Sequence, residues 1–160
     1  MFPLFAQAFL MIVLAVIIQP RTTATYHNYL SGRGFDVVEQ TVGILELYDG
    51  TQFLSDTKNG SLRIIITYGE LEDRTLAVAM RGESTCRIVV SHVMNPETSV
   101  SYDEDDLRSV LTHEIGHCFG MDHFKNEDHV MYWAYDGIPH NYKRLNKFIE
   151  DLRRFREPFF

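Results

Sequence analysis

His113-Glu114-Ile115-Gly116-His117-Cys118-Phe119-Gly120-Met121-Asp122-His123 is the stretch whose reading decides the fold of this 160-residue chain. On a helix, His113 and His117 stand one turn apart on the same face. That spacing lets two imidazoles hold one zinc ion at about 2.0–2.1 Å each. Glu114 lies beside His113 around the helix, near the metal without binding it, and can hold a water there. Gly120 stands where the helix must stop and the chain turn sharply, which calls for a positive φ. The turn brings His123 back as a third ligand. Three protein nitrogens leave a fourth position open, the arrangement of catalytic rather than structural zinc sites. Cys118 points about 100° away from His117 around the helix and is a poor ligand. A chain of this composition matches the five-position pattern by chance roughly once in 10⁴.

Working outward, Ser101 is expected to open this helix, with Ser101 and Glu104 as a capping box. Asp103, Glu104, Asp105 and Asp106 load its first turn with negative charge, which complements the helix dipole. A calcium site is the alternative use of that acidic cluster. Leu107, Val110, Leu111, Ile115 and Cys118 supply the apolar face, and Gly120 the residue after the C-cap. Upstream, Asp36 to Tyr48 has helical spacing, with Asp36 as its cap. Leu62–Tyr68, Thr75–Met80 and Arg87–Val93 read as strands, and Thr51–Leu54 as a fourth. Residues 25–34 are polar, contain Gly32 and Gly34, and read as a loose arm. A last helix from Asn141 to Phe155 carries Leu145, Phe148, Ile149 and Leu152 on its inner stripe. The expected class is α+β (mixed α/β): a helix, a small sheet, the histidine helix and a closing helix.

Composition bounds the rest. Apolar residues make up 45% of the chain, and the 17 residues from Phe2 to Ile18 are apolar except for Pro3 and Gln7. That run reads as residues 1–24 forming a secretory signal, with Thr22 and Ala24 supplying small residues at a cleavage site. An uncleaved anchor is the alternative, because 17 residues are the lower edge of a bilayer span. Both place residues 25–160, one domain, outside the cytoplasm: secreted, or membrane-anchored if the run is kept. Asn59-Gly60-Ser61 is either a glycosylation triplet or a turn between strands. A mixed charge pattern with 12% aromatics excludes intrinsic disorder. A net charge of −7 with no basic stripe excludes nucleic acid as a partner. Cys86 and Cys118 are either a disulfide, as suits a small exported domain, or two buried thiols.

Residues 113–123 resemble the long zinc-binding motif of the metzincin metallopeptidases. That clan places a methionine-containing tight turn beneath the zinc, and Met131 stands in the matching place. Val130-Met131-Tyr132-Trp133-Ala134-Tyr135 looks like the Met-turn of the matrixin branch, as does the eight-residue step from His123 to Met131. Gly-Met-Asp-His also has an adamalysin look. The resemblance covers most of residues 36–155. It implies a metzincin-like fold with a twisted sheet, the zinc helix under it, a Met-turn and a C-terminal helix. It implies one catalytic Zn2+, protein or peptide substrates and a monomer. It makes His113, His117 and His123 the metal ligands, Glu114 the base that activates a zinc-bound water, and Tyr132 or Tyr135 a support for the intermediate. Substrate lies along a sheet edge in this clan, and Thr75–Met80 is the candidate edge. His129 is close to the Met-turn and is a candidate to line the cleft. No cysteine precedes the zinc helix in a pro-segment, and the pattern for a second, structural zinc is not recognisable between residues 60 and 100. The expected activity is that of a zinc endopeptidase. An inactive exported zinc-binding module has no need of Glu114, and an amidase acting on cell-wall peptides would share the same site.

Overall fold

The computed structural model describes residues 23–49, 52–55, 62–72, 75–92, 102–134 and 142–156. The apolar run at 2–18, the triplet at 59–61, Ser101, Tyr135 and His140 lie outside the described residues. The elements run β1 (Thr23–Asn28), α1 (Arg33–Asp49), β2 (Gln52–Ser55), β3 (Leu62–Gly69), β4 (Ala77–Arg81), β5 (Thr85–Ser91), α2 (Glu104–Cys118) and α3 (Tyr142–Arg156). The strands form one sheet in the order β2-β1-β3-β5-β4. All neighbours are parallel except β4 and β5; β4 is antiparallel and lies at the edge of the described sheet, where Thr75–Met80 was expected.

β3 and β5 form the centre because their β-branched residues alternate cleanly. Ile64 and Ile66 of β3 and Cys86, Ile88 and Val90 of β5 are buried. β1 corrects the expectation of a loose arm over residues 25–34. It lies between β2 and β3, with Ala24 opposite Phe53 on one side and Leu62 on the other. Its His27 and Asn28 break the apolar alternation that marks a strand. Its backbone groups are instead satisfied by two parallel partners distant in the chain. Ala24, Thr25 and Tyr26 are all buried, and the expected boundary after Ala24 falls inside this strand.

α1 begins at Arg33, three residues before its expected cap. Gly32 turns the chain at φ 57°, and its carbonyl accepts from the Phe35 N–H. Asp36 therefore sits in the first turn, where its charge meets the helix dipole. Val37, Val38, Val42 and Leu45 bury the inner face, and the Tyr26 hydroxyl reaches across to donate to Glu39. α2 starts at Glu104, and its cap is Asp103 rather than Ser101. The Asp103 carboxylate accepts from the Asp106 N–H at 2.7 Å, satisfying a donor of the open first turn. Asp105 pairs with Arg108, so this acidic cluster makes contacts within the protein. α3 buries Phe148, Ile149 and Leu152 as its spacing predicts, with Leu145 partly buried.

α2 packs against β4, β5 and α1. A disulfide joins Cys86 of β5 to Cys118 at the end of α2, with Cα atoms 5.4 Å apart. The bridge ties the histidine-bearing end of α2 to an interior strand of the sheet. It closes a loop with a sequence separation of 32. A loop of that length restricts the unfolded chain by about 3–4 kcal/mol. The double substitution Cys86→Ala, Cys118→Ala is expected to lower unfolding stability by about that amount, measured by urea titration. A chain equally stable without the bridge would show that the bridge does not restrict the unfolded chain as proposed.

Candidate metal centre

α2 ends in a Schellman motif. The Met121 N–H bonds to the Gly116 carbonyl at 3.0 Å and the Gly120 N–H to the His117 carbonyl at 2.9 Å. Gly120 takes φ 93°, and a Cβ there would run into the Arg81 guanidinium packed over it. This turn does two things. It swings the chain back so that His123 faces the helix, and it aims the Met121 carbonyl at His117.

The three histidines converge. The Nε2 atoms are 3.1 Å apart for His113 and His117, 3.2 Å for His117 and His123, and 3.3 Å for His113 and His123. Nitrogens at about 2.0–2.1 Å around a tetrahedral zinc are roughly 3.3 Å apart, so the donor set fits that ion. Tautomers fit as well. His113 Nδ1 donates to the Val130 carbonyl and His117 Nδ1 to the Met121 carbonyl, each at 2.7 Å. With the proton held on Nδ1, each Nε2 lone pair is free for a metal. Burial, the main cause, pushes the His117 pKa below its ordinary value and favours the neutral ligand form. Among the described residues, this is the one cluster of three or more such side chains able to hold a metal ion.

Glu114 is 7% exposed beside this cluster. Burial pushes its carboxyl up to about 7 from an ordinary 4.5, against a backbone N–H bond from Ala79 that lowers it. That bond attaches the acid to β4, the sheet edge. Met131 is fully buried beneath the site. It comes that close because residue 116 is glycine. A Cβ at Gly116 would meet Met131 Sδ and come within 2.9 Å of the Phe148 ring. The segment after His123 is pinned to this turn by a Phe124 N–H bond to the Met131 carbonyl at 2.8 Å.

The Tyr132 hydroxyl is directed at Glu127, at 3.4 Å, and the ring lies against the exposed Trp133. Tyr135 lies outside the described residues. His129, a candidate for the cleft, is instead 2% exposed and turned to α3. Its Nε2 bonds to Asp151 at 3.2 Å, and its Nδ1 accepts the Met131 N–H at 3.0 Å. Asp151 was not singled out from the sequence. The available signal was an acid at a position flanked by Phe148, Ile149 and Leu152 on the inner stripe. Ala79 carried no signal at all, since its role lies in a backbone N–H.

A mixed sheet with an antiparallel edge, a helix bearing two histidines, a third after a glycine turn and a methionine beneath them define a metzincin-like fold. The sequence profile of the matrixin family matches residues 33–154, and the chain belongs to that family, one of zinc-dependent peptidases. Among solved structures it is similar to archaemetzincin from Methanopyrus kandleri. The identity is 15% over 88% of this chain and 99% of that one, with a TM-score of 0.57. It is also similar to a zinc-dependent peptidase from Methanocorpusculum labreanum, at 13% identity over 83% of this chain and 93% of that one, with a TM-score of 0.44. Curated protein sequences contain no significant match.

The raised pKa of Glu114 makes a stability prediction for the metal-free protein. An acid whose folded pKa stands above its unfolded one stabilises the fold fully below about 4.5. That contribution is lost as pH rises through about 7. Glu114→Gln is neutral at every pH and retains an oxygen acceptor for the Ala79 N–H. The metal-free variant should therefore gain on the wild type between about pH 5 and 8, by up to roughly 3 kcal/mol. Urea titrations across that range measure the difference, and parallel pH profiles would contradict it.

Proposed function

We propose that this chain is a zinc endopeptidase in which His113, His117 and His123 hold the metal and Glu114 is the general base. The observation that carries this reading is the convergence of three Nε2 atoms beside a buried carboxylate that is also bonded to a sheet edge. Zinc, when bound, supplies a Lewis acid that polarises a scissile carbonyl and makes water more acidic. Glu114 takes a proton from the attacking water and delivers it to the departing amine nitrogen. Its position favours this role, since it lies next to His113 and its carboxylate is desolvated rather than ion-paired. The position of β4 at the edge of the described sheet supports an extended peptide as substrate, because an edge strand offers backbone donors and acceptors in register. The Ala79 N–H joins that edge to the base, so a peptide lying along β4 passes Glu114. Selectivity on the leaving-amine side is assigned to residues 132–142, the segment that follows Met131 in the chain.

The domain is proposed to act outside the cytoplasm, either secreted or tethered. Two observations support this: the apolar run from Phe2 to Ile18, and the Cys86–Cys118 bridge, which persists in oxidising surroundings. Among the described residues, no helix is long and apolar enough to cross a membrane.

The test is metal analysis of the purified chain together with mass spectrometry of a mixed peptide library. One zinc per chain and internal cleavage abolished by a chelator are expected. Glu114→Gln should keep its zinc and lose roughly 10²–10⁴-fold in rate. Stoichiometric zinc without cleavage would favour a binding module, and full activity of Glu114→Gln would remove it as base.

A further inference from the structure

The Met-turn peptide between Val130 and Met131 is held on both sides by a histidine. Its carbonyl accepts from His113 Nδ1 at 2.7 Å, and its N–H donates to His129 Nδ1 at 3.0 Å. Because His129 Nδ1 is an acceptor, its proton sits on Nε2, which donates to Asp151 at 3.2 Å. The ring is therefore neutral, and its contact with Asp151 is a hydrogen bond rather than an ion pair. Burial, the leading cause, lowers the His129 pKa and agrees with this form. Asp151 in turn receives Lys147 at 3.1 Å and Arg154 at 3.4 Å, both from its own helix.

We propose that His129 is a positioning residue: with Asp151 it fixes the Val130–Met131 peptide, and through that peptide the orientation of His113. The line runs from the α3 carboxylate through one imidazole and one peptide group to a ring of the metal site. Polarity runs one way along it. Asp151 accepts from His129, His129 accepts from Met131, and the Val130 carbonyl of the same peptide accepts from His113. Each acceptor strengthens the next donor, because hydrogen bonds in series polarise one another. A more firmly held Val130 carbonyl keeps the His113 proton on Nδ1 and its Nε2 aimed inward. Groups bonded directly to a metal-ligating histidine typically change metal affinity by about 10–100-fold, and His129 acts one peptide group further out, so a smaller effect is expected.

His129 also packs. Its ring stacks on Phe124 at 4.2 Å, so a loss on mutation could reflect volume alone. Two substitutions separate the roles. His129→Phe keeps a ring against Phe124 and removes both hydrogen bonds. His129→Gln loses the ring but retains an oxygen acceptor and an N–H donor on one side chain.

The inference rests on the zinc reading above. Its test is zinc affinity by competition with a chromophoric chelator, with the visible spectrum of the cobalt(II)-substituted protein as a second readout. His129→Phe should bind zinc several-fold to about 10-fold more weakly and shift the cobalt bands, and His129→Gln should recover most of both. Equal loss in the two variants would assign the effect to packing and overturn the proposal, as would wild-type affinity in His129→Phe. Where His129→Phe does not fold, Asp151→Asn carries the test: a several-fold weaker affinity is expected, and an unchanged one overturns the relay. Zinc held equally by wild type and variants sinks the relay alone. A wild type that holds no zinc sinks the metal-site reading and the relay with it.

Discussion

A helix can present two histidines to one ion, but it cannot present a third. The i and i+4 positions exhaust its face at that level, and the next turn carries the chain away along the axis. Everything around this site follows from ending α2 abruptly and turning back. Gly120 makes the reversal with φ 93°, a conformation costly for residues bearing a Cβ. The reversal satisfies the final carbonyls of the helix through the Met121 and Gly120 N–H groups. It also frees the Met121 carbonyl to orient His117. One turn therefore terminates the helix, orients the second histidine and delivers the third.

A helix ended in this way needs support, because its last turn is the part that must not fray. Support comes from three directions. The Cys86–Cys118 bridge fastens the end of the helix to the central strand β5. Met131 fills the space that Gly116 leaves on the underside, with Phe148 of α3 behind it. The Phe124 N–H and Met131 carbonyl close the segment after His123 onto the Met-turn. The disulfide acts mainly by restricting the unfolded chain, whereas packing and hydrogen bonds act in the folded state. Together they leave the histidine-bearing turn little freedom to move independently of the sheet and of α3.

The sequence was legible where structure is local. The histidine spacing, the positive φ of Gly120 and the stripe of α3 depend on residues a few positions apart, and all three stand as expected. The central strands were legible because Leu62–Tyr68 and Arg87–Val93 are rich in β-branched residues. β1 was not, because a parallel strand takes its partners from distant parts of the chain and leaves no turn signal beside it. The helix starts moved for a different reason. Several residues in a row can serve as a cap, as Ser101 and Asp103 both can, and the side-chain bond that forms decides between them. The His129–Asp151 contact was hidden by both effects. It spans 22 positions, and its acid lies on a helix where Lys143, Lys147, Glu150, Arg153 and Arg154 are exposed.

Burial serves opposite ends at two neighbouring side chains. For His117 it favours the neutral ring, which is the state a metal requires. For Glu114 it disfavours the carboxylate, which is the state a general base requires. In the metal-free protein the second effect is a cost that grows as pH rises through about 7. A dication beside Glu114 favours the carboxylate and offsets that cost. Metal affinity and folding stability are then linked quantities: whatever binds the folded chain alone stabilises it by mass action. The desolvation that raises the Glu114 pKa makes the empty site less stable at neutral pH. Retention of the metal and retention of the fold therefore become one requirement of the same few residues.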